Sequence, residues 1–472
     1  MISAQQLISY SQSRSPPIYR IPNEVLCQIF CFTLWNSTRK FIGKLVDVAP
    51  WRLTHVCQTW RSAARGYSRL WSCFTIHFGG HHDVASLPEC YPLPAFETQI
   101  QLAYPTPLDV EIVFGDRLVE ELDHIKLLFD VLVCHSHRWG KLWLHWTREA
   151  DLCVLSCIEG RLDQLRSIFL DVYRPTGWEP EYWPSQLTDL FAEAPSLQKV
   201  FITDITFYAP SPQISAPWSQ ITDLRIYAAS SFLVHVLRNA VNLVECAFWE
   251  REITDDSEAT DSEPCGIITL PSLRRLSFTS WLDNGLSCIR YLHAPNLEYL
   301  ELHNHIDAIP RFLQQSQCRI STVKFFAVHS VISVLAHLPF VTNLEFDVVR
   351  WGPCYEGVIS GAFKALAHSS YLCPKLSFLR ITRPPSYSSD SNADAELAVE
   401  TALCDLLESR YHPVPDANHT LASLATVRVA HMAFSLVNQK RVDTLQLSGL
   451  DIQGFQPVQS IGEDDQFQTF PP

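Results

Sequence analysis

The sequence predicts an α/β chain in two parts: a small all-helical module at the N-terminus, then a stacked-repeat region whose strands form a parallel sheet. Three observations predict it. Apolar residues fall at three-to-four spacing over residues 21–30 and 53–64, as on amphipathic helices. From Trp139 to Leu447 a pattern of the form apolar-x-x-apolar-x-apolar recurs about a dozen times. Proline stands two residues ahead of that pattern at Pro195, Pro271, Pro295, Pro339 and Pro374.

Hydrophobic residues make up 47% of the chain and charged residues 18%, which suits a well-buried protein rather than a disordered one. Its 472 residues exceed what one ordinary core supports unless the fold is elongated. The net charge of −14, from 50 acidic and 36 basic residues, argues against nucleic acid as a partner. No run of 18 apolar residues offers a membrane span, and Met1 to Arg20 lacks the apolar core of a secretory signal. Fifteen cysteines, an odd number with no CxxC pair, read as reduced and mostly buried thiols of a cytoplasmic or nuclear protein.

The helical module is expected over 19–78, behind a disordered 1–18. Pro22 suits a first helical turn, where its missing N–H costs nothing. Leu26, Ile29 and Phe30 share one face of the first helix; Val56, Cys57, Trp60 and Ala64 repeat that spacing on the second, and Leu70-Trp71 closes the segment. Helices of this size bury little alone, so their apolar faces need a partner. A proline-rich linker is expected over 79–107, and a disordered tail over 451–472.

The repeat region is expected over 108–450. Clear copies of the pattern are Leu165/Ile168/Leu170, Leu197/Val200/Ile202, Ile221/Leu224/Ile226, Leu273/Leu276/Phe278, Leu297/Leu300/Leu302, Ile320/Val323/Phe325, Val341/Leu344/Phe346 and Leu376/Leu379/Ile381. Weaker ones are Trp139/Leu142/Leu144, Leu243/Cys246/Phe248, Leu424/Val427/Val429 and Val442/Leu445/Leu447. From Leu197 to Val341 they start 21 to 30 residues apart, close to the leucine-rich-repeat period. Proline is taken to mark strand entry. Helix-like stretches such as 231–240, 309–315 and 331–337 return the chain between strands, and stacking buries what no unit buries alone. Polar loops are expected at 253–266 and 383–396.

Period-two geometry turns pattern positions one, four and six inward and the alternate positions outward. The central outward residues are then Trp143, Phe169, Phe201, Arg225, Ala247, Ser277, Glu301, Lys324, Glu345, Arg380, Arg428 and Gln446, flanked by Tyr227, Trp249, Tyr299, Phe326 and Phe378. Aromatic and arginine side chains are frequent interface anchors. Phe201, Arg225, Tyr227, Tyr299, Glu301, Lys324, Glu345 and Arg380 are therefore the candidate contacts for a protein partner. The alternative is that further helices or loops cover this face and make its aromatics core.

No dinucleotide fingerprint, P-loop, nucleophile elbow or zinc-protease helix occurs. His303 and His305 could share a face with His293, but no acidic or cysteine residue completes a metal site. No catalytic, cofactor-binding or metal-binding residue is assigned, and no enzymatic activity is expected.

The segments Pro22-Asn23-Glu24-Val25-Leu26, Val56-Cys57-Gln58-Thr59-Trp60-Arg61 and Leu70-Trp71, set before the repeats, carry a resemblance. The chain resembles F-box proteins with leucine-rich repeats, including large fungal sets that share these elements. The resemblance implies a substrate-recognition subunit of a cullin–RING (SCF-type) ubiquitin ligase. Pro22, Leu26, Ile29, Phe30, Val56 and Trp60 would face a Skp-type adaptor, and through it a cullin. Cys57, Leu70 and Trp71 would pack the module, and a leucine-rich-repeat-like solenoid would hold an unknown protein substrate. Three departures stand out: Ile21 replaces the usual leucine, Leu34 to Arg52 lengthens the middle, and the asparagine or cysteine that normally follows each repeat strand is absent. The alternative is a non-ligase scaffold whose helices only cap the repeats.

Overall fold

In the computed structural model the chain is mixed α/β with a long parallel sheet. The structure describes residues 21–35, 50–78, 92–114, 122–146, 155–172, 189–204, 214–251, 266–280, 288–304, 307–326, 330–347, 353–382, 393–412, 421–430 and 434–454. The chain divides into two units, Met1–Pro217 and Trp218–Pro472. The expected N-terminus 1–18, residues 455–472 of the expected tail, the loop 253–265 and most of the Leu34–Arg52 interruption lie outside the described residues. The first residues of that tail, Asp451–Gln453, are a strand paired with Thr426–Arg428 rather than disordered.

The first unit opens with helices α1 (Asn23–Trp35), α2 (Trp51–Val56) and α3 (Gln58–Gly66) and a 3-10 turn, Ser68–Trp71. It continues as β1 (Cys73–Phe78), α4 (Leu93–Leu102), β2 (Leu108–Phe114), α5 (Leu122–Val133), β3 (Trp139–Trp146), β4 (Ser167–Val172) and β5 (Lys199–Asp204). Strands β1 to β5 pair in sequential order and parallel, the arrangement that needs a crossover between each pair.

The second unit holds β6 (Asp223–Ala229), α6 (Ser230–Asn239), β7 (Glu245–Arg251), β8 (Ile268–Thr269), β9 (Arg275–Ser280), β10 (Leu292–His293) and β11 (Tyr299–Asn304). Then follow α7 (Ile309–Ser316), β12 (Thr322–Phe326), α8 (Val331–Leu335), β13 (Asn343–Asp347), α9 (Pro353–His368), β14 (Phe378–Thr382), α10 (Ala393–Tyr411), β15 (Thr426–Ala430), α11 (Leu436–Leu447) and β16 (Asp451–Gln453). β8 and β10 form a separate short parallel pair. The other strands make one parallel run, β6-β7-β9-β11-β12-β13-β14-β15-β16.

The inward positions align across strands without slippage: Leu276, Leu300, Val323, Leu344, Leu379 and Val427 stand side by side and none is exposed. A one-residue slip would turn this apolar row to water, which fixes the register. A second row, Phe278, Leu302, Phe325, Phe346 and Ile381, is also buried. In it Phe325 stacks on Phe346 at 5.6 Å, and Phe346 meets Phe363 of α9 edge-on at 5.3 Å.

The prolines do not enter the strands directly. Each sits second in a four-residue turn, where a fixed φ near −65° is favoured. The turn closes when the first pattern residue donates back three positions: Leu197 to Ala194, Leu273 to Leu270, Leu297 to Ala294, Val341 to Leu338 and Leu376 to Cys373, at 3.1–3.4 Å. Leu243 closes the same turn onto Ala240 without a proline. The third turn residue ties one unit to the one before it. Asn242 Nδ2 donates to Ser219 O at 2.7 Å, Asn296 Nδ2 to Pro271 O at 2.8 Å, and Ser196 Oγ to Asp163 O at 2.7 Å.

Other expectations are corrected too. The 79–107 linker contains a packed helix, α4, with Phe96 and Ile100 buried and Gln99 Nε2 donating to Cys73 O at 3.0 Å. Pro92 and Pro94, read as linker residues, precede and open that helix. The last repeat, Val442/Leu445/Leu447, is helical: Val442 and Leu445 lie three apart on the inner side of α11, and Leu447 and Gln446 are exposed. Gln453 of β16 takes the outward place assigned to Gln446, paired with Arg428. The polar loop 383–396 gives way to α10 at Ala393, and β1 and β2 are strands that the repeat pattern did not reach.

Candidate protein-interaction surfaces

The helical module packs through one side of α1 and leaves the other open. Leu26 and Phe30 are each 1% exposed. Phe30 tilts against Trp60 at 4.9 Å, and Cys27 Sγ reaches Ala63 O of α3 at 3.7 Å. Trp71 is fully buried, donates Nε1 to Ala64 O at 2.7 Å and meets Trp51 edge-on at 4.9 Å. Cys57 caps α3, its sulfur accepting from Trp60 N at 3.5 Å. Leu70 is buried beside Trp71.

The outer side of α1 carries Pro22, Val25, Ile29 and Phe32, which follow one another at three- and four-residue steps and so share one stripe. Pro22 and Val25 are exposed, Ile29 is 41% exposed and Phe32 76%. Val56, at the end of α2, is 59% exposed. Of the six residues expected to face an adaptor, Pro22, Ile29 and Val56 are exposed, Trp60 is half-buried, and Leu26 and Phe30 turn inward. Val25 and Phe32 join the outer stripe instead. Their signal was present: α1 is apolar on both sides, which a single buried face does not require.

The open face of the first unit carries two ordered rows. Trp143, Phe169 and Phe201 stand on adjacent strands with rings 4.9 and 4.4 Å apart, 12° and 0° from parallel. Face-to-face stacking across strands covers the faces of Phe169, so the row presents ring edges. Thr75 and Glu111 continue that row across β1 and β2, and the polar residues His145, Asp171 and Thr203 form the row beside it. Thr75 Oγ1 donates to Glu111 at 2.9 Å, His145 faces Glu111 at 3.4 Å and Asp171 at 3.1 Å, and Thr203 Oγ1 donates to Asp171 at 2.8 Å. With a carboxylate at each ring nitrogen, His145 is held as imidazolium. The bonds from Asp171 and then Glu111 lift its pKa to about 9 against the opposing effect of burial. The same bond to His145, helped by Thr203, holds Asp171 below the usual carboxylate range.

In the second unit the outward row is polar. Glu301 is its hub: it accepts from Tyr299 Oη at 3.2 Å and faces His303 at 3.3 Å and Lys324 at 3.4 Å. The His303 bond, then Lys324, drive its pKa down to about 2 despite burial. Burial and Glu301 together raise that of Tyr299. Lys324 also meets Asp347 at 3.1 Å. Arg275 lies 4.4 Å over the Tyr299 ring, and Glu345 faces Arg380 at 3.8 Å. Arg225 is exposed 3.9 Å from Asp223, and Tyr227 is half-buried two residues on.

Tyr299, Glu301, Lys324, Glu345 and Arg380 are thus brought together. Phe201 belongs to the first unit, and Arg225 and Tyr227 lie at the start of the second. Among the described residues no group of three or more histidine, cysteine or acidic side chains is arranged to hold a metal, and no helix is long and apolar enough to cross a membrane. No known family model matches the chain, and no curated protein matches it.

Proposed function

We propose that this chain is a non-catalytic substrate-recognition subunit of a cullin–RING ubiquitin ligase. The helical module, read as F-box-like, docks on a Skp-type adaptor; the sheet region, read as a degenerate leucine-rich-repeat solenoid, binds a protein substrate. The observation that carries the proposal is the outer stripe of α1: Pro22, Val25, Ile29 and Phe32 exposed on a helix whose opposite side is already packed. Apolar helix faces of this kind are what helix-binding partners cover. The chain then works by proximity, holding substrate where other subunits deliver ubiquitin.

The scaffold alternative also has an observation in its favour. The 3-10 turn Ser68–Trp71 runs straight into β1, and Gln99 bonds both Trp71 O and Cys73 O, so the helices are continuous with the first strand as a cap would be. A cap accounts for the buried Leu26, Phe30 and Trp71. It gives no reason for an apolar outer stripe.

Affinity purification of the tagged chain separates the two. Recovery of a Skp-type adaptor and a cullin, lost together in Ile29→Glu/Phe32→Glu, is expected of the ligase subunit. Recovery of neither with the wild-type chain leaves the scaffold.

A further inference from the structure

Arg380 of β14 and Arg428 of β15 are direct cross-strand partners on the open face of the second unit. Both side chains are exposed. Adjacent strands lie about 4.8 Å apart, and like charges placed opposite one another at that spacing oppose pairing. The neighbourhood relieves Arg380 alone. Glu345 approaches Arg380 to 3.8 Å, while Asp347 is engaged by Lys324, as is Glu301. Asp451, on the edge strand β16, stands in the row of Thr426 rather than of Arg428 and accepts from Gln453 Nε2 at 2.9 Å.

Arg428 has no carboxylate partner among the described residues. Its guanidinium lies 5.6 Å over the ring of Phe378, which holds the plane while leaving its N–H edges open. The side chains two residues on, Thr382 and Ala430, are too short to screen either arginine. The strands beneath are pinned by Leu379, Ile381, Val427 and Val429, all buried. Two guanidinium forks thus stand side by side above a buried apolar row. That is an arrangement suited to a carboxylate, which accepts two parallel N–H bonds from a guanidinium.

We infer that the β14–β15 face, built on Arg380 and Arg428, captures an acidic segment of a partner protein through glutamate or aspartate side chains. The inference rests on the reading above that this sheet binds a protein. Charge arithmetic selects a carboxylate over a phosphate. Glu345 already offsets much of Arg380, so the pair carries about one surplus positive charge, which a carboxylate matches. A phosphate monoester, at about −2, exceeds it. The strong overall negative charge of the chain makes the match selective, since an acidic peptide is repelled elsewhere.

The test is fluorescence anisotropy with the full chain and a labelled hexaglutamate peptide at low salt. Hexaglutamine and a glycine-serine peptide carrying one phosphoserine serve as comparisons. Saturable hexaglutamate binding is expected, weakened roughly tenfold by Arg428→Gln, further by the Arg380→Gln/Arg428→Gln pair, and unchanged by Lys440→Gln on α11. Arg428→Lys keeps the charge but loses the fork, and is expected to bind more weakly than wild type. Both glutamine variants replace exposed side chains, so unchanged thermal unfolding verifies the fold. Absence of hexaglutamate binding, equal binding by the double variant, or tighter binding of the phosphoserine peptide overturns the inference. Adaptor recovery does not involve these arginines, so failure of the ligase reading shows itself separately.

Discussion

His145 Nδ1 lies 3.1 Å from Asp171 Oδ2 across β3 and β4, while its other ring nitrogen faces Glu111 on β2. The imidazole pKa is raised from 6.5 to about 9. Stability from this contact is therefore whole below about 6.5 and is lost as pH rises through about 9. Asp171 is shifted downward, so its share is present above the ordinary carboxylate value and is lost as pH falls through the lowered one. The contact is intact at neutral pH. Titration of His145 by NMR is expected to give a midpoint well above 6.5, with Asp171→Asn moving it down; a wild-type midpoint at or below 6.5 contradicts the geometry.

Arg410 of α10 is fully buried, and the fold builds a cage of backbone carbonyls around its guanidinium. Its Nη2 donates to Leu366 O at 2.9 Å, Leu372 O at 2.7 Å and Ser369 O at 3.1 Å, and its Nε to Leu366 O at 3.0 Å. These carbonyls end α9 and begin the turn after it, where helical acceptors lack intrahelical partners and a cation is favoured. Burial lowers the arginine pKa, yet the group stays charged. Arg410→Met strands several acceptors and is expected to cost about 3 kcal/mol or more in urea unfolding. Arg410→Lys, with no fork to span them, is expected to restore little. A loss under about 1 kcal/mol for the methionine variant would show the cage to be unimportant.

Gly140 is the extra residue of a bulge, since Leu108 pairs with Trp139 but Asp109 with Lys141. A Cβ at Gly140 would stand 2.9 Å from the Pro107 Cβ, a ring with no rotamer to retreat into. Gly140→Ala is expected to destabilise the first unit by about 1–3 kcal/mol, read by chemical unfolding. A neutral effect would mean that the Pro107 turn shifts freely.

Much of this fold is legible in the sequence because its inward row is apolar at fixed spacing. Eleven of the expected copies, from Trp139/Leu142/Leu144 to Leu424/Val427/Val429, fall on strands, and 231–240, 309–315 and 331–337 coincide with helices to within two or three residues. Val442/Leu445/Leu447 failed because a three-residue step fits a helix as well as the pattern. Polar Asn438, Gln439, Lys440 and Arg441 stand just before it, and Arg441 bonds Asp405 and Glu408 of α10. β2 lies outside the repeat pattern because Leu108, Val110, Ile112 and Phe114 alternate strictly and Pro107, not an apolar residue, stands at the first pattern position. The outward list was legible through alternation, but pairings such as Glu301 with His303 and Lys324, or the register of Arg380 with Arg428, depend on which strands adjoin. On α1, residues on both sides are apolar, so periodicity alone did not separate Leu26 and Phe30 from Val25 and Phe32.

The central claim is that the outer stripe of α1 docks an adaptor, and calorimetric titration of the purified chain with a purified Skp-type adaptor tests it most directly. Saturable one-to-one binding is predicted for the wild-type chain. Ile29→Glu/Phe32→Glu should abolish it while leaving thermal unfolding unchanged, because both side chains already face water. No binding by the wild-type chain, or binding undiminished in the folded variant, would contradict the account.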